Sequence, residues 1–236
     1  MPTVFSNVRH EKTSSDCLKD NSHKYKYNYR NLCDGKDLLL AINDNSVPCV
    51  FFDPQYRGVL EKMAYGNEGV SRGCQRSLLP QMSEDTIKDF ILEIARVLVP
   101  KGHLFLWADK FHLCEGVAGW LPKPLQLVDM IVWNKLKMGM GYRTRRKCEY
   151  LVVIQKRPIR AKGVWALHDI PDVWEEKAAG EHTHSKPIGL QARLIEAVTN
   201  PKDVVLDPAA GSYSVLEACG HTGRIFLGGD IVYGID

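Results

Sequence analysis

Apolar residues fall into short runs separated by segments of helical periodicity, and the two kinds alternate along most of the chain. The run Cys49, Val50, Phe51, Phe52 predicts a buried strand. Ser83, Glu84 and Asp85 then cap a helix whose apolar positions, Ile87, Phe90, Ile91, Ile94, Val97 and Leu98, recur at helical spacing until Pro100, Lys101 and Gly102 end it. Further strands are predicted over 103–107, 127–133 and 149–155, at Val204, Val205 and Leu206, and from Arg224 onward. Helices are predicted over 38–42, 111–120, 188–198 and 213–219, the third opened by Pro187. Strands alternating with helices predict an α/β fold, a doubly wound, mostly parallel Rossmann-like sheet with ligands at the carboxyl ends of its strands.

A chain of 236 residues, 44% hydrophobic, suits one well-buried domain. Residues 1–30, with their Lys-Tyr alternation at Lys24, Tyr25, Lys26 and Tyr27, read as a polar N-terminal arm ahead of a domain over 31–236. Residues 57–82 carry Gly58, Gly66, Gly69 and Gly73 and read as a flexible lid or a loop facing a partner. No apolar run reaches a membrane span and the polar N-terminus is no signal peptide, so the expected location is cytoplasmic. Seven cysteines without a Cys-x-x-Cys pair fit reduced thiols, and His182 and His184 have no further ligand at metal spacing, so no metal is expected.

The formal net charge of +3 does not single out a partner, but its distribution does. Between Lys135 and Lys162 stand ten basic residues, Arg143, Arg145, Arg146, Lys147, Arg157 and Arg160 among them, against the single acid Glu149. Such a stripe suits a phosphate backbone, although a solvated surface accounts for it equally well when taken alone.

Two turns carry the chemistry. Asp53, Pro54, Gln55 and Tyr56 follow the first strand. There an Asp carboxylate and a proline carbonyl can accept both hydrogens of one exocyclic amino group while the tyrosine ring stacks on the base. An ordinary strand-to-loop turn has the same composition. Far along the chain, Asp207, Pro208, Ala209, Ala210, Gly211 and Ser212 form a small-residue turn between strand and helix, and Asp230 ends the next strand. That unit suits a nucleotide-like ligand and lacks Gly-x-Gly-x-x-Gly, which points to a cofactor smaller than a dinucleotide.

In this order the two turns resemble the β-class of amino DNA methyltransferases, in which a catalytic Asp-Pro-Pro-Tyr-type sequence precedes a cofactor-binding Asp-Pro-x-x-Gly-Ser turn. Asp34-Gly35, Trp107-Ala108-Asp109, Trp133-Asn134-Lys135 and His184-Ser185-Lys186-Pro187 are similar to family sequences too, and the resemblance covers roughly residues 30–236. It implies S-adenosylmethionine as cofactor and double-stranded DNA as partner. It also implies catalytic Asp53, Pro54 and Tyr56, with Asp207, Ala209, Gly211 and Ser212 near the methionine part. Asp230 is expected at the ribose, Asp34 at the adenine end, and Ser185 and Lys186 at the methionine carboxylate. Arg57, Arg143, Arg145, Arg146, Lys147, Arg157 and Arg160 are the expected DNA contacts, and 135–181 holds the basic loop and a short target-recognition region.

Asp at the first catalytic position fits adenine N6 over cytosine N4, for which Ser is the commoner choice in the family. Cytosine N4, adenine in RNA, and a degenerate relative that binds DNA without catalysis stand as alternatives. Gln55 replaces the family's second proline, but the required carbonyl belongs to Pro54, so activity is expected to survive. Ala210 and Tyr213 alter the usual cofactor turn and would weaken cofactor binding. The chain stops soon after Asp230, where the family continues into a helix, and this raises the expectation of a homodimer.

Overall fold

The computed structural model describes residues 17–20, 24–54, 82–139, 144–177 and 185–235. Eight strands form one mixed sheet in the order β1-β8-β7-β2-β3-β5-β4-β6. The strands are β1 (Asn31–Leu32), β2 (Val47–Phe52), β3 (Leu98–Ala108), β4 (Leu125–Asn134), β5 (Cys148–Lys156), β6 (Val173–Glu175), β7 (Val204–Asp207) and β8 (Ile225–Asp230). The helices are α1 (Gly35–Leu40), α2 (Glu84–Val97), α3 (Lys110–Glu115), α4 (Ile188–Val198) and α5 (Ser214–Thr222), with a 3-10 turn over Val117–Trp120. From β1 to β3 every neighbour is parallel, and the sheet turns antiparallel at β5, which pairs with β3 on one side and β4 on the other.

Alternation within the strands explains the three layers. Val50, Phe52, Leu104 and Leu106 face the helices α1 and α2, where Leu38, Leu39, Phe90, Ile91 and Ile94 pack on them. Cys49, Phe51, Phe105 and Trp107 face the other way, against Leu190, Leu194 and Ile195 of α4 and Val215 and Ala218 of α5. Strands buried on both faces read as continuous apolar runs, which is why β2 and β7 were conspicuous in the sequence. Ser83 caps α2, its hydroxyl accepting from the Thr86 N–H at 3.1 Å.

The described part of the expected N-terminal arm differs from that expectation. Tyr25 and Cys17 are buried, and Asn28 exchanges hydrogen bonds with Phe226 of β8 through its own N–H and its side-chain oxygen, both at 2.8 Å. The Lys-Tyr alternation has the period of a strand, with exposed lysines at 24 and 26 and inward tyrosines at 25 and 27. The helix α2 ends at Val97, three residues before Pro100, and β3 begins at once, absorbing the proline in a register shift against β2 with Lys101 at φ 70°. The expected lid at 57–82 lies outside the described residues except for Met82.

One close approach joins the two halves of the domain that the sequence keeps far apart. Gly35, the first residue of α1, lies so near Pro208 that a Cβ there would overlap the proline carbonyl oxygen. Gly35→Ala must push the α1 start away from the β7 turn. The expected loss is roughly 3 kcal/mol in urea unfolding; a wild-type value would sink the argument.

Candidate active site

Topology gathers the candidate residues before any side chain is considered. Because β1, β8, β7, β2 and β3 are parallel, Asp34, Asp230, Asp207, Asp53 and Asp109 all follow strands at one edge of the sheet. The antiparallel strand β5 starts at that same edge, so Glu149, near its beginning, arrives beside Ala108 through the pairing of Ala108 with Tyr150. The end of β4 arrives there too, Trp133 opposite Glu149.

Lys186 lies at the centre of this edge. Its Nζ is 2.9 Å from Asp53 Oδ2 and 2.8 Å from Glu149 Oε2, with the Trp107 ring centroid at 5.0 Å. Glu149 Oε1 in turn accepts from Lys135 Nζ at 2.9 Å. The result is a chain of alternating charge, Lys135, Glu149, Lys186, Asp53. Only 14% of the Lys186 side chain is exposed, so the ammonium depends on these two carboxylates rather than on water. Burial works against the charged lysine, but Asp53 and Glu149 outweigh it and raise its pKa. Burial would likewise raise the Glu149 carboxyl, yet Lys186 and Lys135 hold it at about 2.

Local structure fixes where Lys186 stands. Pro187 begins α4 and offers no side-chain cap. Glu176, just past β6, does this from a distance, its carboxylate accepting from the Gly189 and Leu190 N–H groups at 2.9 and 3.0 Å and from Trp174 Nε1 at 2.7 Å. Its backbone oxygen also accepts from Trp133 Nε1 at 2.8 Å. Ser185, buried, precedes Lys186 on the same segment.

The second turn is built from backbone. Asp207 ends β7 fully inside, its Oδ1 accepting from the Ala209 N–H at 3.2 Å. Gly211 takes φ 48°, and its N–H donates to Asp230 Oδ2 at 3.2 Å. The other Asp230 oxygen accepts from the Val232 and Tyr233 N–H groups at 2.8 and 2.9 Å. Tyr213, one of the departures from the family pattern, is buried beneath the turn. Its hydroxyl donates to the Asn31 carbonyl at 3.0 Å and its ring meets Phe226 edge-on, so it props the turn against β1 and β8. Asp34 caps α1 through the Lys36 N–H at 2.7 Å, and Ser212 lies within the turn, half-buried.

Of the remaining candidates, Tyr56, Arg57 and Arg143 lie outside the described residues. The basic stretch does not form one stripe. Lys135, Lys137, Arg145, Arg146 and Lys147 belong to the hairpin that continues β4 and β5 past this edge of the sheet, closed by Lys135 N–H to Lys147 O at 2.9 Å and Gly139 N–H to Arg146 O at 2.7 Å. Arg157 and Arg160 follow the other end of β5, a nine-residue strand that separates them from this edge by about 27 Å. Lys156 is turned inward onto Leu98 O and Asn45 Oδ1, at 2.6 and 2.7 Å. Sequence reasoning missed Glu149 and Glu176 as parts of the site; a lone acid among ten bases was the available signal for the first.

A family model described as a DNA methylase, that of the N6/N4 methyltransferases, matches residues 47–232. The chain belongs to that family. It is 57% identical over 212 residues to the type II methyltransferase M.HhaII of Haemophilus parahaemolyticus, covering 89% of this chain and 93% of the relative. It is 32% identical over 161 residues to the putative methylase YubD of Escherichia coli, covering 65% of this chain and 66% of that one. Its fold is similar to that of the M1.HpyAVI–S-adenosylmethionine complex (TM-score 0.61, 17% identity, 86% of this chain and 92% of that one). It is also similar to TTHA0409 of Thermus thermophilus complexed with S-adenosyl-L-methionine (TM-score 0.59, 22% identity, 87% and 88%). The protein is an S-adenosylmethionine-dependent DNA methyltransferase.

The residues present fit that cofactor. S-adenosylmethionine carries a sulfonium charge, and the edge offers the buried Asp207 carboxyl, which makes no ion pair among the described residues. Burial pushes Asp207 up to about 8, against the Ala209 N–H, with Asp53 and Asp230 adding to the rise. Among the described residues no group of three or more His, Cys, Asp or Glu could hold a metal ion, and no helix is long and apolar enough to cross a membrane.

The Asp207 shift sets a pH dependence for the cofactor-free protein. Its folded pKa lies above the ordinary 3.8. Stability is therefore greatest below that value and falls as pH rises towards about 8, by roughly 1 kcal/mol per pH unit. Glu149 has the opposite sign and acts between about 2 and its ordinary 4.5, so above about pH 5 the Asp207 slope stands apart from it. Urea unfolding between about pH 5 and pH 8 is expected to show this slope in the wild type and to lose it in Asp207→Asn; parallel curves would contradict the protonated, buried Asp207.

Proposed function

We propose that the protein methylates adenine N6 in double-stranded DNA, acting on a base flipped out of the helix. The observation that carries this reading is the position of Asp53. It follows β2, next to the strand that delivers Asp207, and its carboxylate is gripped by a buried lysine. An Asp at this place, where the resemblance associates Ser with cytosine N4, supports adenine.

The exocyclic amino nitrogen is a weak nucleophile because its lone pair is delocalised into the ring. The Asp53 carboxylate and the Pro54 carbonyl each accept one amino hydrogen, which localises the pair and stabilises the charge that grows on nitrogen. Tyr56 stacks on the extruded base. S-adenosylmethionine would supply the methyl group and leave as S-adenosylhomocysteine, while the amino nitrogen gives up one of its hydrogens as a proton. Asp207, Ala209, Gly211 and Ser212 hold its methionine part, Asp230 its ribose and Asp34 its adenine end, while Ser185 and Lys186 approach the methionine carboxylate.

DNA meets the basic hairpin through Arg145, Arg146 and Lys147, joined by Arg57 and Arg143. Arg157 and Arg160, at the far end of β5, would contact phosphate only on a separate path around the molecule. Residues 157–181 form a short target-recognition region, which supports a short or relaxed recognition sequence. The likeness to a type II methyltransferase supports a stand-alone modification enzyme acting in the cytoplasm.

Incubating the protein with unmodified duplex DNA and methyl-labelled S-adenosylmethionine, followed by digestion and mass analysis of the nucleosides, is expected to give N6-methyladenine. Asp53→Ala should lower the rate roughly a hundredfold to a thousandfold. N4-methylcytosine would overturn the base, product on RNA alone would overturn the polymer, and DNA binding without turnover would favour a degenerate relative.

A second copy of the chain would find an apolar surface where Leu32, Ile231, Val232, Tyr233 and Ile235 lie exposed along the β1–β8 edge. Light scattering should then give twice the chain mass, and Val232→Asp should return it to a monomer; a wild-type monomer would end the dimer reading.

A further inference from the structure

A pair formed only by Lys186 and Asp53 would be simple to understand, since an ammonium beside a carboxylate keeps it ionised. The structure adds a second carboxylate to the same ammonium. Lys186 Nζ stands 2.8 Å from Glu149 and 2.9 Å from Asp53, so the two acids share one cation. Lys135 closes the far side of Glu149 at 2.9 Å, and the four charges sum to zero. Glu149 reaches this place only because β5 runs antiparallel to β3 and begins at the catalytic edge.

The sharing matters for chemistry. A carboxylate fully neutralised by its own ammonium is a poor acceptor for the amino hydrogens of a base, because its charge is already spent on the lysine. A carboxylate that must share the ammonium keeps more of its charge for the substrate. Glu149 also limits where the lysine can go. With a carboxylate on each side and the Trp107 ring centroid at 5.0 Å, the ammonium is held rather than free to fold over Asp53.

We propose that Glu149 is a positioning residue for methyl transfer, which holds the Lys186 ammonium and thereby sets how much charge Asp53 presents to the amino group of the base. This rests on the reading of Asp53 as the group that receives that amino group. Glu149 itself touches Lys186 and Lys135, not the reacting atoms.

The charged groups around Lys186 are Asp53 after β2, Glu149 on β5 and Asp207 after β7, with Asp230 after β8 acting on Asp207 and Lys135 after β4 acting on Glu149. In Glu149→Gln the amide keeps the shape and a hydrogen-bond acceptor but loses the charge. Lys186 then serves Asp53 alone, and the acid limb of the kcat profile moves to lower pH. In Lys186→Gln the ammonium is lost and the same limb moves to higher pH. Opposite displacements from two neutral replacements are the signature of shared charge; a role limited to folding moves neither.

The experiment is the pH profile of kcat at saturating DNA and S-adenosylmethionine for wild type, Glu149→Gln, Lys186→Gln and Asp53→Ala, with the dissociation constants of both ligands. The expected result for Glu149→Gln is a kcat lowered about tenfold or more, KM values within about threefold, and the acid limb displaced downward by about half a pH unit or more. An unchanged limb and an unchanged kcat in Glu149→Gln, while Asp53→Ala abolishes turnover, overturns the role of Glu149 and leaves that of Asp53 standing. Full activity in Asp53→Ala overturns the reading of Asp53 instead. Should Glu149→Gln fail to fold, Lys135→Gln decides: Glu149 then draws on Lys186 alone, the limb should move to higher pH, and an unmoved limb contradicts the shared ammonium.

Discussion

The Lys186 ammonium is where three separate parts of the chain become one site. Asp53 reaches it from the end of a parallel strand, Glu149 from the start of an antiparallel one, and Lys186 itself from the segment that enters α4. A buried ion is costly unless its partners are close and well placed, and removing one partner leaves the others with an uncompensated charge. The requirement therefore constrains much else. The β3–β5 reversal must bring Glu149 to the right edge, α4 must start where it does, and Glu176 must cap that start from beyond β6. The segment that follows β6 is thus hydrogen-bonded to the start of the helix that follows the lysine.

How much of this was legible in the sequence depends on whether the signal was local. The strands β2 and β7 and the helix α2 were plain, because continuous apolar runs and a capped 3.6-residue period are statements about neighbouring residues. The strands β1 and β6 were not, because two or three residues cannot display a period. The Lys-Tyr alternation near the N-terminus did display one, but its lysines made it look like a tail; only the inward tyrosines and the pairing of Asn28 with Phe226 show it as part of the body.

The site divides along the same line. Asp53, Asp207 and Asp230 were visible because each ends an apolar run, and the parallel topology places all such ends at one edge. The partner of Lys186 was not visible, since nothing in the local pattern around Glu149 says that its strand runs backwards. The same reversal splits the basic stretch. Two residues of one basic stretch, Lys147 before β5 and Arg157 after it, stand at opposite ends of the strand because its nine residues lie between them. Charge clustered along a sequence is clustered in space only when no extended element intervenes.

The edge also gives two acids different surroundings, although both stand at the ends of neighbouring parallel strands. Asp53 has a lysine at 2.9 Å and is partly open to solvent, whereas Asp207 is enclosed, with a backbone N–H and, among the described residues, no ion pair. Asp53 shares an ammonium with Glu149, while burial pushes Asp207 towards its neutral form. This separation follows from which strand each acid ends and from the antiparallel entry of β5, so the distribution of charge at the site is a consequence of the sheet order itself.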